Sequence, residues 1–352
     1  MSASSSAKTG RDLDLGDEVG LRGVPIDEEG LRATVAKDDT RTLETVGDGV
    51  EAWEDYLDAK EGQMLVMEEE ESGDKLVVPH EHRWDGDYRR RTYACLKAAE
   101  RHVTAKWGET VPTTMLTLTA PHKDASGDYR AFTSVLSDLK EGWNKARDVI
   151  ARETEGVETE YLAVYEPHGT GYPHLHVLVF GVARPSLGEK VAEYWVDRYV
   201  EGASRKAQEV TVKRGRSLQL ESPAAYLMKY LSKSLARDGG EEATAREGLP
   251  TIAGYRGFSA LMWATGKRTY SMSEGLSSAV AESAPESDET DGTWKYIGTV
   301  HGVSAGIYTG REAEELGKYL AGSANQREPP DRGGPINGRL DGPGPAGNPG
   351  EY

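Results

Sequence analysis

Alternating apolar and polar positions predict a β-hairpin in the middle of the chain. Residues 160–166 (EYLAVYE) and 174–181 (HLHVLVFG) each alternate over the length of one strand, and the Gly- and Pro-containing residues 167–173 lie between them. The earlier run 113–119 (TTMLTLT) is also alternating and rich in β-branched residues, which predicts a further strand. A second hairpin is predicted from strands 209–212 and 217–220 around a basic turn.

Other stretches show the period of amphipathic helices. In residues 128–152 the apolar positions Phe132, Val135, Leu136, Leu139 and Trp143 fall on one side of a helix. Similar patterns predict helices at residues 52–67, 84–107, 187–200 and 223–235. Strands and helices mixed in this order predict an α+β fold.

Composition divides the chain into six segments. The main domain is predicted at residues 111–280, where the periodic patterns are densest. We expect an acidic, largely disordered region at 1–50, a helical extension at 51–110, an acidic linker at 281–293, a small β-then-α appendage at 294–322 and a disordered Pro/Gly-rich tail at 323–352.

Charge alone argues against nucleic acid as a partner, because the formal net charge is −17 and DNA-binding proteins usually carry a basic excess. The spread of Asp and Glu over every segment, with only three Phe, is also typical of proteins adapted to high salt. In that case local basic clusters decide the partner. The basic turn Lys213, Arg214 and Arg216 is such a cluster.

Several classes of protein are disfavoured by what the sequence lacks. One cysteine, Cys95, excludes an intramolecular disulfide and a cysteine-rich zinc site. There is no run of eighteen apolar residues, no apolar signal segment and no GxxxxGK[ST] phosphate loop. We therefore expect a cytoplasmic protein with no membrane partner and no motor domain of its own.

Three residues of the first hairpin predict a metal site. His174 and His176 lie two apart on a predicted strand, so both side chains leave the same face. Folding the hairpin about Thr170 makes Glu166 the cross-strand neighbour of His174 on that face. Two imidazoles and one carboxylate with open coordination positions suit a catalytic divalent ion such as Mg²⁺ or Mn²⁺. The alternative is a pair of hydrogen-bonded histidines on a half-buried strand.

A similar stretch, PHEH at residues 79–82, lacks these companions. Its central Glu81 would charge the face opposite the histidines, and no carboxylate lies at a matching hairpin position. We interpret PHEH as a polar stretch that leads into a helix. His168 is interpreted as a turn residue, and His122 as a spare ligand candidate.

A predicted helix carries paired tyrosines and lysines. Tyr226 and Tyr230 are four apart and share one face, and Lys229 and Lys233 each follow a tyrosine by three residues. Such a stripe is often simply part of a core. Tyrosine can attack a phosphodiester, however, when a metal polarises the phosphate and a cation favours the phenolate.

Together these motifs resemble the His-hydrophobic-His (HUH) endonucleases, and among them the rolling-circle replication initiators of the phage gene A type. EPHGTGYPHLHVLVFG looks like their metal motif, YLMKYLSK like their two-tyrosine motif, and TMLTLT like the strand that precedes the metal motif. The resemblance covers residues 113–235. With the acidic composition, it is similar to a replication protein of a haloarchaeal plasmid or virus.

The resemblance implies a central antiparallel sheet flanked by helices, with the metal histidines on a middle strand. It also implies metal-dependent nicking of single-stranded or cruciform origin DNA, a 5′-phosphotyrosyl intermediate on Tyr226 or Tyr230, and a host helicase and polymerase as partners. Lys229 and Lys233 would assist the tyrosines, and Lys213, Arg214 and Arg216 would contact DNA.

Two alternatives stay open at this level. A two-tyrosine single-strand transposase or a relaxase shares the same chemistry. A DNA-binding protein that keeps the fold as an origin-recognition module without catalysis is the alternative from another class.

Overall fold

The computed structural model describes residues 23–36, 38–168, 170–213, 252–283 and 293–323, and these contain eleven strands and seven helices. The strands are β1 (Leu31–Ala36), β2 (Asp39–Leu43), β3 (Gln63–Glu69), β4 (Lys75–Pro79), β5 (Thr113–Leu118), β6 (Glu160–Pro167), β7 (Pro173–Phe180), β8 (Glu209–Lys213), β9 (Tyr270–Met272), β10 (Trp294–His301) and β11 (Gly306–Tyr308). The helices are α1 (Val46–Lys60), α2 (Gly86–Trp107), α3 (Phe132–Glu153), α4 (Pro185–Tyr194), α5 (Ile252–Ala264), α6 (Glu274–Glu282) and α7 (Gly310–Ser323).

Five strands form a central antiparallel sheet in the order β8-β5-β7-β6-β9. β7 lies in the middle, and its odd-numbered residues Leu175, Val177 and Val179 pack on one face against a large core. Its Leu178 and Phe180 belong to a second core on the opposite face. Alternation of apolar side chains on both faces places β7 between two hydrophobic layers.

Helices cover both faces of this sheet. One face packs on α3, α4 and α5, which contribute Leu139, Val191 and Phe258 to the first core. The other face packs on α2 and α6, which contribute Leu96 and Leu276 to the second core. The protein is therefore an α+β fold, as the residue patterns predicted, with the central antiparallel sheet flanked by helices that the family resemblance implied.

The stretch between residues 23 and 60 differs from the sequence prediction of a largely disordered region through residue 50. β1 and β2 pair as a hairpin, and Ile26 and Leu43 are buried in the first core. Thr45 caps α1 by accepting a hydrogen bond from the Asp48 amide, while the Asp48 carboxylate accepts one from the Thr45 amide. Few but well-placed apolar residues are sufficient to anchor this segment, although it shows no long periodic run.

A separate four-stranded sheet joins distant parts of the chain in the order β10-β3-β4-β11. Its core contains Val66, Val77, Val300 and Leu316. The predicted helical extension at 51–110 is thus interrupted by two strands. The predicted appendage at 294–322 does form strands and then a helix, but it completes the sheet that β3 and β4 begin.

The predicted disorder of residues 1–22 and 324–352 and most of the predicted linker lie outside the described residues. In the part of the chain that the structure describes, no helix is long and apolar enough to cross a membrane.

Candidate metal centre

Backbone pairing between β6 and β7 brings together the three predicted metal ligands. Glu166 lies directly opposite His174, and His176 lies opposite Val164 on the same face of the sheet. His174 and His176 lie on the same face of β7 as Leu178 and Phe180. Helices α2 and α6 cover the apolar residues of that face. The hairpin register is the one that the alternating sequence predicted.

Three side-chain atoms converge at this point. The Nε2 atom of His176 lies 2.7 Å from Oε2 of Glu166, and the Nε2 atom of His174 lies 3.4 Å from the same oxygen. The two Nε2 atoms are 2.8 Å apart. Neighbouring ligands of an octahedral ion with bonds near 2.1 Å are separated by about 3 Å, so these atoms fit one face of such an ion.

The donor set also fits a catalytic ion chemically. Two imidazoles and one carboxylate leave open coordination positions for water or substrate, which a closed four-ligand structural zinc site does not. Glu166, His174 and His176 are the group of metal-capable side chains found within the described ranges. We conclude that this buried cluster can hold a divalent ion.

Thr117 on β5 orients the second histidine. Thr117 pairs with His176 across the sheet, and its Oγ1 lies 3.1 Å from Nδ1 of His176. If the threonine hydroxyl accepts from Nδ1–H, the Nε2 atom keeps its lone pair for a metal. Hydrogen bonds of this kind fix the tautomer and the ring orientation of metal-bound histidines. The sequence indicated the strand but not this contact.

Burial explains why the three side chains depend on one another. Glu166 is 3% exposed and His176 is 7% exposed. A carboxylate removed from water needs a cation or hydrogen-bond donors close by. The two imidazoles meet that need, and a bound divalent ion would meet it more fully.

Two further histidines lie beside the cluster. The ring centroid of His168 is 5.9 Å from that of His174, and His122 stacks on His168 at 6.2 Å. Burial lowers the pKa of both rings, and the neighbouring histidine charge lowers each of them further. His168 therefore lies between His122 and the cluster, and His122 does not contribute one of the converging ligand atoms.

Tyr255 of α5 is a residue that sequence reasoning missed. Its side chain is 2% exposed, and burial, reinforced by the negative charge of Glu166, raises its pKa to about 12. A neutral hydroxyl thus lies within electrostatic reach of the metal cluster. The sequence around Tyr255 is that of an apolar helix and contains no catalytic or metal-binding motif.

The PHEH stretch has a different environment. Burial lowers the pKa of His80 to about 4, helped by the positive charges of Lys60 and His82. Nε2 of His82 pairs with Asp85 at 3.3 Å, and Glu81 pairs with Arg91. These contacts fix the chain before α2, in agreement with the interpretation of PHEH as a structural stretch.

The other predicted site residues have no described side chains. Lys213 ends β8, and its backbone pairs with Thr113 on β5. The strand 209–212 of the second predicted hairpin is present as part of β8. The remaining predicted residues lie outside the described ranges: Arg214, Arg216, Tyr226, Lys229, Tyr230 and Lys233.

Comparison with known proteins places the chain among haloarchaeal relatives. An uncharacterized 36 kDa protein of Halobacterium salinarum is 29% identical over 76% of this chain and 87% of its own length. A 36 kDa protein of Halobacterium sp. (strain GN101) is 31% identical, over 77% of this chain and 87% of its own. Uncharacterized protein 1 of Halorubrum pleomorphic virus 1 is 26% identical over 63% of this chain and 47% of its own.

No solved structure matches the chain significantly. A family model described as "Putative rep protein (DUF1424)" matches residues 25–304, a range that includes the five-stranded sheet and the metal-capable cluster. Because this match spans most of the chain, the protein belongs to that family of Rep proteins.

Proposed function

We propose that this protein is an HUH endonuclease that initiates rolling-circle replication. The observation that carries the proposal is the convergence of Glu166, His174 and His176 on adjacent strands in a chain of the Rep family. Two imidazoles and one carboxylate at this spacing offer three ligand atoms to a single divalent ion. The viral relative supports a role in the replication of an extrachromosomal element.

The proposed reaction is a transesterification. A bound Mg²⁺ or Mn²⁺ would neutralise charge on the scissile phosphate and orient it. The phenolic oxygen of Tyr226 or Tyr230 attacks phosphorus, the bond to the 3′-oxygen breaks, and that oxygen takes a proton to become a free 3′-OH. The 5′-phosphate stays on the tyrosine. The reverse reaction with a new 3′-OH rejoins the strand at termination.

The lysines of the tyrosine helix have a supporting role in this proposal. Lys229 and Lys233 each follow a tyrosine by three residues, so in the helix that the sequence predicts each would lie near that tyrosine. A nearby ammonium group would favour the phenolate, whose pKa is otherwise near 10. The same groups would hold the phosphate before attack.

Origin DNA is the proposed partner in spite of the acidic balance. Among the described strands, β8 lies at one edge of the central sheet and ends at Lys213, and the sequence continues with the predicted basic turn that contains Arg214 and Arg216. A cluster of this kind can bind phosphates locally while the rest of the surface stays acidic. Since the sequence lacks a phosphate loop for a motor, strand separation is assigned to a host helicase and synthesis to a host polymerase.

A nicking assay tests this function. The protein is incubated with a supercoiled plasmid that carries the replication origin of its own element, with and without Mn²⁺, at constant KCl concentration. Open-circular product is expected only with the metal, and changing His174 and His176 together to Ala should abolish it. His301→Ala is the matched control, because His301 is exposed on β10 in the other sheet.

Metal-independent nicking, or full Mn²⁺-dependent nicking by the double histidine variant, would contradict the ligand assignment. Absence of any nick by the wild type would favour the non-catalytic origin-binding alternative.

A further inference from the structure

A group of aromatic rings continues outward from the metal centre. Beyond His174 come His168, His122 and Tyr129, with successive centroid distances of 5.9, 6.2 and 6.3 Å. The last two pairs are stacked, with interplanar angles of 26° and 22°. We call His122, Tyr129 and His168 the ring platform.

The platform rests on a rigid support. Tyr172 lies beneath it, 5.4 Å from His122 and 6.1 Å from Tyr129, and is 2% exposed. Tyr172 packs in turn on Phe132 at 4.1 Å and donates its hydroxyl proton to the Arg130 carbonyl. These buried rings already anchor the segment to the first core, so packing does not require the outer rings to be aromatic.

A small hairpin fixes the outer rings. Lys123 and Tyr129 face each other across an isolated β-bridge, and the Arg130 amide donates to the His122 carbonyl. The Asp124 carboxylate accepts from the amides of Ser126 and Asp128 and closes the turn. Platform residues held in this way lose little conformational freedom when a ligand binds.

The outer face of the platform is accessible. Tyr129 is 40% exposed and is one of the few large aromatic side chains that the described surface leaves open, and His168 is exposed. The Lys123 ammonium lies 4.6 Å above the Tyr129 ring. A flexible lysine at this position can move to a backbone phosphate when a flat group takes its place on the ring.

Two acidic groups near the platform have partners of their own. Asp124 is occupied by the turn amides, and Arg130 pairs with Asp138 at 2.9 Å. The side chain of Lys123 is exposed, so it supplies a positive charge at the platform's edge. The combination of stacked rings and a lysine is typical of surfaces that bind single-stranded nucleic acid.

We propose that nucleobases beside the scissile phosphate stack on His122, Tyr129 and His168, so that this platform holds the single strand at the metal centre. The proposal rests on the proposed function for the identity of the strand as DNA. It adds His122 and Tyr129, which lie outside the metal and tyrosine motifs, to the proposed site. Because stacking is tolerant of base identity, the platform would set position rather than sequence.

Binding of a short fluorescein-labelled oligothymidylate, measured by anisotropy with the full chain in EDTA, tests the platform without any cleavage. Tyr129→Ala should weaken binding by about tenfold, since base stacking is lost, whereas Tyr129→Trp should bind as the wild type does. Tyr93→Ala is the matched control, because Tyr93 is 41% exposed and also has a lysine, Lys97, over its ring at 6.0 Å. It should leave binding unchanged.

Unchanged binding by Tyr129→Ala, an equal loss in Tyr93→Ala, or no binding by the wild type would overturn the platform. These outcomes are separate from the nicking assay. If the Tyr129→Ala variant both nicks and binds like the wild type, the proposed function stands and the platform is wrong. If the wild type does not nick DNA but Tyr129→Ala weakens its binding, the platform stands and the nickase function is wrong.

Discussion

At the scale of single residues, a side chain outside the metal-capable cluster contacts one of its histidines. Oγ1 of Thr117 lies 3.1 Å from Nδ1 of His176, while Nε2 faces Glu166 and His174. If the hydroxyl accepts from Nδ1–H, it leaves Nε2 available to an ion. The hydroxyl can be removed without disturbing the fold, because valine has nearly the same shape as threonine.

We predict that Thr117→Val weakens Mn²⁺ binding by about 10- to 100-fold, as is usual when the hydrogen-bond partner of a metal-bound histidine is removed. Isothermal titration calorimetry measures the affinity. Thr113→Val is the matched control, because Thr113 lies on the same strand and face but bonds to the Val111 carbonyl. Equal affinity in the wild type and Thr117→Val would show that Thr117 does not orient the histidine.

His80 predicts a pH dependence of stability. Its pKa in the folded protein is about 4, against an ordinary value of 6.5, so the unfolded chain binds more protons between these two values. The free energy of unfolding should therefore fall as the pH is lowered from about 6.5 to about 4. His80→Gln should flatten that part of the curve, measured by denaturant unfolding at constant KCl concentration.

The control for this prediction is His301→Gln, which replaces an exposed histidine of β10. A slope that is the same in the wild type, His80→Gln and His301→Gln would show that His80 is not held neutral by its half-buried site.

At the scale of elements, local periodicity was sufficient for the hairpin that carries the site. β6 and β7 alternate cleanly, and their predicted register puts Glu166 opposite His174. The helix predicted at residues 128–152 corresponds to α3 (Phe132–Glu153), since its apolar residues recur at helical spacing. These elements could be predicted because each one buries a continuous stripe of its own residues.

Other elements could not be predicted because their stabilising contacts are distant in sequence. β3 lies largely in the segment 52–67 that was predicted to be helical, and no strand was predicted at β4. The two strands nevertheless pair with each other and with β10 and β11 from the end of the described chain. β1 and β2 lie in a polar region and are held by a few buried residues such as Val35 and Leu43. The Thr117–His176 contact likewise joins strands 59 residues apart.

Gly181 ends β7 in a way that no larger residue could. Its φ is +87°, and an added Cβ would meet the Glu158 carbonyl and lie 2.8 Å from the Trp107 ring. We predict that Gly181→Ala lowers the free energy of unfolding by about 1–3 kcal/mol from backbone strain, with the steric clash adding to that loss. Chemical denaturation measures the change.

Gly156→Ala separates the two causes. Gly156 has a similar φ of +78°, but nothing lies within 4 Å of an added Cβ. It should show the strain alone and hence a smaller loss than Gly181→Ala. Equal losses in the two variants would mean that the close approach of the Glu158 carbonyl and the Trp107 ring to Gly181 is unimportant.

At the scale of the whole molecule, the five-stranded and the four-stranded sheets have separate hydrophobic cores. The metal-capable cluster belongs to the five-stranded sheet, whereas Val66, Val77, Val300 and Leu316 form the core of the four-stranded sheet. Metal binding should therefore tolerate damage to the four-stranded sheet.

Leu316→Ala tests this separation. Removing a buried leucine side chain usually costs about 2–5 kcal/mol, so amide protons of β3 and β4 should exchange faster with solvent. Mn²⁺ affinity should stay at the wild-type value. Tyr319→Ala on the exposed side of α7 is the control for hydrogen exchange. A parallel loss of Mn²⁺ affinity in Leu316→Ala would show that the two sheets are energetically coupled.

We propose that a metal held by Glu166, His174 and His176 serves a tyrosine that becomes linked to DNA. Mass spectrometry of the tryptic peptides after incubation with Mn²⁺ and a single-stranded oligonucleotide from the origin detects that link. We expect a 5′-phosphotyrosyl adduct on the peptide that contains Tyr226 or Tyr230, and none in the His174→Ala/His176→Ala variant. An adduct on another residue, such as Tyr255, or cleavage without any adduct would contradict this proposal.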